Sequence, residues 1–108
     1  MKLIKCIVRT DKLTETADAL ESLGVSGLTI MDVRGRGSTR TTALYRGRPY
    51  PAFLHMTAID VVIDDDLVDD VIRVVLDRAR TGVNGDGRVL IMDLENCYTI
   101  RTRQGGVA

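Results

Sequence analysis

The stretch that decides the fold runs from residue 56 to residue 93: MTAIDVVI (56–63), DDDLVDDVIRVVLDRA (64–79), RTGVNGDG (80–87) and RVLIMD (88–93). Branched apolar residues ending in Val61-Val62-Ile63 predict a strand. Val68, Val71, Ile72, Val75 and Ala79 then recur at helical spacing. Asp64, Asp65 and Asp66 offer caps and negative charge where the helix dipole favours them, and Arg78 and Arg80 suit its last turn. Gly82 is expected to close the helix, Gly85-Asp86-Gly87 to make a tight turn, and residues 88–93 to form another strand.

The same order appears upstream. Residues 2–9 suit a strand. Thr10 or Asp11 can cap a helix whose buried face carries Leu13, Ala17, Leu20 and Leu23, with Gly24 at its end. Residues 27–33 read as a second strand, and 97–102 as a short final one. Strand-helix-strand twice over predicts an α+β, ferredoxin-like βαββαβ sandwich with both helices on one sheet face. Between the two halves, from about 36 to 54, the pattern dissolves into Gly, Ser, Thr, Arg and Pro. This reads as a long flexible loop after the second strand, and loops of that length in a small domain are commonly functional.

The chain has 108 residues, which fits one domain over 1–108 with a tail at about 103–108. It is 44% hydrophobic and 28% charged, an ordinary globular composition. Fifteen basic residues balance fifteen acidic ones, so global charge points to neither nucleic acid nor membrane. No apolar run exceeds the four residues Val89–Met92, so no membrane span is expected. The first residues lack the apolar stretch of a signal peptide, and the two cysteines, Cys6 and Cys97, suit a reducing compartment; a cytoplasmic location is expected. Both cysteines are expected as small buried hydrophobes.

The balance hides a segregation. No acid falls between Val33 and Ile59, where Arg34, Arg36, Arg40, Arg46 and Arg48 lie. Guanidinium suits phosphate and carboxylate, so an anion-recognising loop and a merely soluble one are both open. The single histidine, His55, rules out a Ser-His-Asp triad or a His-rich metal site, and the acids of 64–66 read as a solvated cap. No catalytic constellation is present, and no enzyme activity is expected. Two glycine turns carry more information. Gly35-Arg36-Gly37 follows a strand, and Gly85-Asp86-Gly87-Arg88 precedes one. Glycines let backbone amides converge on an anion, and an arginine just after the turn can complete a phosphate cradle. Asp86 would repel a phosphate it faced, so it is expected to brace the loop by accepting backbone N–H bonds. An ordinary turn is the plain alternative for each.

Tyr45-Arg46-Gly47-Arg48-Pro49-Tyr50 and Thr81-x-x-x-Gly85-Asp86-Gly87-Arg88-Val89, in this order, resemble the two signatures of the PII family of signal-transduction proteins. Supporting stretches are 20–29, 65–69 and 100–102, so the resemblance covers nearly the whole chain. It implies a homotrimer that binds ADP or ATP, with AMP as an alternative, in clefts between subunits. It also implies a long loop that docks onto a transporter or enzyme. By position it implies adenine contacts from Thr29 and Val62 and a phosphate path along Gly35, Gly37 and Ser38. The phosphate loop would be Gly85, Asp86, Gly87 and Arg88, with Arg101 and Arg103 reaching across the cleft. Arg40, Tyr45, Arg46, Arg48 and Tyr50 fall in the partner-binding loop.

The departures bear on the effector. Where the family has an Arg-Gln pair after the second glycine this chain has Ser38-Thr39, and where it has the 2-oxoglutarate lysine this chain has Met56. Thr99 replaces one phosphate arginine. Tight 2-oxoglutarate binding is therefore not expected, whereas a small anion such as bicarbonate is a candidate. Control of an inorganic-carbon or carboxysome process is the first functional expectation. The alternative is a nitrogen-regulatory protein acting on ammonium transport or nitrogen fixation.

Overall fold

A computed structural model describes residues 1–36 and 41–107. Its main sheet has four strands in the order β2-β5-β1-β6: β1 (Lys2–Arg9), β2 (Thr29–Gly35), β5 (Leu54–Ile63) and β6 (Gly87–Asp93). β1 is central and antiparallel to both β5 and β6, and β2 is antiparallel to β5. Helix α1 (Leu13–Ser22) connects β1 to β2, and α2 (Val68–Ala79) connects β5 to β6. Each helix therefore crosses over a strand lying between the two it joins, the split βαβ arrangement of a ferredoxin-like fold.

Strand alternation sorts the side chains. Ile4, Cys6 and Val8 of β1, with Ile59, Val61 and Ile63 of β5, lie buried against Leu20 of α1 and Val71, Val75 and Ala79 of α2. The core is aliphatic throughout. Among the described residues the two buried polar side chains are both satisfied: Thr16 donates to the Lys12 carbonyl at 2.8 Å, and Thr57 to the Thr10 hydroxyl at 3.1 Å. The second bond explains why Thr10 does not cap α1. Thr10–Lys12 form a 3-10 turn instead, and no side chain caps the helix. Likewise Asp65–Leu67 form a 3-10 turn ahead of α2 with no side-chain cap. The Asp65 carboxylate is taken by the Met1 ammonium at 2.7 Å, which holds it below the usual carboxylate range. α2 ends at Arg80 in extended conformation, so Gly82 lies in the following loop rather than at the helix end.

Two expectations about strands are corrected. The segment expected as an unstructured loop contains a hairpin, β3 (Thr41–Tyr45) with β4 (Arg48–Ala52), paired from Thr41–Ala52 to Tyr45–Arg48. Arg46 and Gly47 between them have φ of 51° and 78°, the signature of a two-residue turn whose twist matches the strands. The final strand expected over 97–102 is absent. That segment turns back on itself through one bridge, Tyr98 to Gly105, with Thr99 N–H donating to Gln104 and Arg103 N–H to Thr99. Its polar groups are met within the turn, so it does not join the sheet.

Candidate functional site

One end of the sheet is occupied by the loop 81–88, and a single carboxylate organises it. Asp86 accepts the backbone N–H of Thr81 and of Gly82, both at 2.8 Å, and the Thr81 hydroxyl. Arg9, at the end of β1, adds its Nε–H to Asp86 Oδ1 at 2.9 Å and its Nη2–H to the Asn84 carbonyl at 2.9 Å. The Thr81 hydroxyl and Arg9 together hold the Asp86 carboxyl well below the usual carboxylate range. Every one of these donors stabilises the ionised form. The expected brace is thus present, and Arg9 is a member of it that the sequence did not reveal. Spacing gives no hint of a pairing across 77 positions, and a basic residue at a strand end is ordinarily just solvated.

Gly87 fixes the loop's other limb. Its φ is 105°, and a Cβ there would overlap the Ile7 carbonyl, so the chain can pass only as glycine. With Asp86 turned into the loop, Arg88 is exposed at the start of β6. A groove of about 320 Å³ runs beneath, lined by Val8, Val75, Ala79, Gly87 and Val89 among others.

Leu54 links this loop to the base of the hairpin. It pairs with Gly35 across β2 and β5, while its Cδ1 lies 3.5 Å from the point where a Cβ on Gly85 would sit. Gly35 and Gly85–Arg88 therefore gather at one end. Beside them the Arg36 guanidinium stacks on the Phe53 ring at 4.4 Å, the two residues flanking the hairpin. Gly37, Ser38 and Arg40 lie outside the described residues, as does Thr39. Arg46 and Arg48 are at the far turn of the hairpin, and Tyr45 and Tyr50 are in its strands.

Thr29 and Val62 lie elsewhere. Thr29 opposes Asp60, six positions along β2 from Gly35, which is roughly 20 Å at strand rise. Val62 opposes Leu3 at that same far end. The C-terminal turn that carries Arg101 and Arg103 is tied there too, through Leu94 N–H to the Met1 carbonyl at 3.2 Å and Cys97 Sγ to Met1 Sδ at 3.5 Å. One chain thus presents two separated groups of the expected residues, not one assembled pocket. Cys97 is half-buried in this tether rather than in the core. Cys6 is fully buried, and burial pushes its thiol up to about 12, which makes it inert.

Met56, in place of the expected cation, is 8% exposed. It sits on the sheet face away from the helices, its Cε 3.4 Å from the point where a Cβ on Gly87 would sit. That face also carries Leu3, Ile7, Val33, Leu90 and Met92 by strand alternation, Leu90 and Met92 being exposed. On it Asp60 approaches Lys5 at 3.8 Å, while its Oδ1 is buried without a hydrogen bond. Among the described residues no group of three or more His, Cys, Asp or Glu could hold a metal ion. Among them, too, no helix is long and apolar enough to cross a membrane.

The sequence profile described as nitrogen regulatory protein P-II matches residues 1–104. The chain belongs to the P-II family. It is 41% identical to nitrogen regulatory protein P-II 2 of Methanothermobacter thermautotrophicus over 98% of this chain and 94% of that one. It is also 41% identical to nitrogen regulatory protein GlnK of Escherichia coli, over 100% of this chain and 98% of that one. A P-II protein of Haemophilus influenzae is 38% identical over 94% and 93%. P-II proteins are regulatory signalling proteins that act on partner proteins, and the fold described above is theirs.

Proposed function

We propose that this P-II protein is a regulator that senses adenine nucleotides, ADP or ATP, in clefts between subunits of a homotrimer. The observation that carries the reading is the 81–88 loop. Its one acidic side chain is consumed by hydrogen-bond donors, its glycine backbone is held open against β1, and it delivers an exposed Arg88 at the same end of the sheet as Gly35. Fixed amides with a guanidinium suit a diphosphate. The separation of Thr29, Val62 and the Arg101 turn from that loop supports a cleft completed by a neighbouring copy. So does the apolar sheet face opposite the helices, on which Leu90 and Met92 are exposed. The basic hairpin is the arm by which a partner transporter or enzyme is read.

For the process controlled, the relatives' names favour nitrogen. Met56 supports a different effector from theirs: a buried thioether cannot compensate a carboxylate, so a small anion such as bicarbonate replaces 2-oxoglutarate in this reading, and an inorganic-carbon process is the second one.

Calorimetry with ADP and ATP tests the site. Arg88→Ala removes a charge-assisted contact of about 1.5–3 kcal/mol, or roughly ten- to a hundredfold in affinity. Unchanged affinity would place the phosphates elsewhere, and a monomer by light scattering would remove the cleft. Titrating 2-oxoglutarate and bicarbonate with each nucleotide separates the two processes, since tight ATP-dependent binding of 2-oxoglutarate would restore the nitrogen reading in full.

A further inference from the structure

We infer that Arg9 is the positioning residue of the phosphate loop: through Asp86 and the Asn84 carbonyl it sets where the amides and Arg88 point, without touching the nucleotide itself. The inference rests on the nucleotide-binding reading above and goes beyond it by assigning a residue from another element to that site. Asp86 alone ties the start of the loop, Thr81 and Gly82, to its end. That closes a ring of backbone that joins the sheet at Gly87 and borders Leu54 at Gly85. Arg9 supplies a hydrogen-bonded attachment at the ring itself. Its guanidinium forks, one N–H to Asp86 and another to Asn84, and it borders Gly85. The loop is held on two sides at once, which a point charge cannot do.

The ion pair is placed to matter. The Arg9 and Asp86 side chains are 28% and 24% exposed, so solvent screens them far less than a surface pair. Arg9 also cancels the charge of the one acid in a loop built to meet an anion. A nucleotide approaching Arg88 meets a loop already ordered and locally neutral, so little ordering cost is left to binding.

The test compares ADP with adenosine, which lacks the phosphates, on the unaltered protein and on Arg9→Ala and Arg9→Lys. Arg9→Ala is expected to lose about tenfold or more in ADP affinity while adenosine affinity stays within about twofold. Arg9→Lys, which keeps a cation beside Asp86 but cannot fork to the Asn84 carbonyl as well, is expected to fall between the unaltered protein and Arg9→Ala, about three- to fivefold weaker. Amide exchange at Thr81 and Gly82 in the nucleotide-free protein should quicken about tenfold in Arg9→Ala and little in Arg9→Lys. Equal falls for ADP and adenosine, unchanged ADP binding in Arg9→Ala, or unchanged exchange would each overturn the inference. Failure of the unaltered protein to bind ADP would overturn the nucleotide reading instead, and the exchange experiment would still decide whether Arg9 orders the loop.

Discussion

Two segments of this chain look alike on paper and differ in build. Residues 34–48 and 80–88 are both rich in Gly and Arg, and both follow an element of the main sheet or its helices. The second is pinned from three directions, by Asp86, by Arg9 and by the passage of Gly87 over β1. Of the first, the residues from Thr41 on belong to a hairpin (Thr41–Ala52) whose two strands pair with each other in a sheet of their own. The difference separates two ways of using arginine. A guanidinium on a fixed loop can hold a ligand of one shape, because the donors are in place before it arrives. Guanidiniums on an arm that stands off the core can read a protein surface without engaging the core at all. The acids are divided to match: one sits inside the pinned loop, and none falls between Val33 and Ile59.

The contrast breaks most visibly at Gly87. A methyl there collides with the Ile7 carbonyl, and backbone cannot swing aside as a side chain can. The positive φ adds its own penalty. Gly87→Ala should destabilise the fold by about 3 kcal/mol or more, or prevent folding, and abolish nucleotide binding. Urea denaturation reads the first effect and calorimetry the second. A variant of near-normal stability would mean that β6 can start one residue later and that the loop is not pinned there.

Asp86→Asn comes next in size. The amide oxygen can keep both backbone N–H groups, which share one carboxylate oxygen. The NH2 in place of the other oxygen cannot accept from Arg9 Nε–H or the Thr81 hydroxyl, and the charge facing Arg9 is lost. The pH dependence follows from the direction of the shift. A carboxyl held below its ordinary value in the folded protein contributes stability that is fully present above the unfolded value, about 3.9, and lost as pH falls through the folded one. The brace is therefore intact across neutral and mildly acid conditions. The stability gap between Asp86→Asn and the unaltered protein should be constant from pH 8 to pH 5 and shrink only below about pH 4. A gap that already closes between pH 6 and pH 5 would show that Asp86 is not the group being titrated.

These sites differ in how far they could be read from the residues. The helix spacing of Val68, Val71, Ile72, Val75 and Ala79 and the branched apolar residues of 2–9 and 56–63 are local signals, and a helix and two strands stand there. Asp86 as a brace was legible because an acid between two glycines has nearby amides to accept from. Arg9 was not, because its partner is remote in sequence. The hairpin was hidden by its own chemistry: Pro49 and Pro51 cannot donate to a ladder, and a two-residue turn with Arg in the left-handed region lacks the usual Asn-Gly mark. Thr99 to Arg103 look like a strand, yet Arg103 at φ 62° and the bond from its N–H to Thr99 turn the chain within five residues. Both cap regions form 3-10 turns instead, and in each one candidate, Thr10 or Asp65, has a tertiary partner.

The smallest effect is expected at the hairpin's own glycine, and it tests whether the arm is separate in energy as well as in pairing. Gly47 has a φ of 78°, and nothing lies within 4 Å of where its Cβ would sit. Gly47→Ala therefore meets only the left-handed conformational penalty, about 1–2 kcal/mol. That penalty falls on a two-stranded unit, which is marginal alone and whose strands pair with each other rather than with the main sheet. If hairpin and core unfold independently, the penalty appears as local opening. Amide exchange at Tyr45 and Arg48 should then quicken by roughly ten- to thirtyfold, while the stability of the whole domain by urea unfolding falls by less than about 0.5 kcal/mol. Nucleotide affinity should not change, because Gly35 and Leu54 hold the base of the arm in the main sheet. A global loss approaching that of Gly87→Ala would instead mean that the arm is folded onto the core. The basic surface would then be as rigid as the loop, and the two segments would differ in sequence alone.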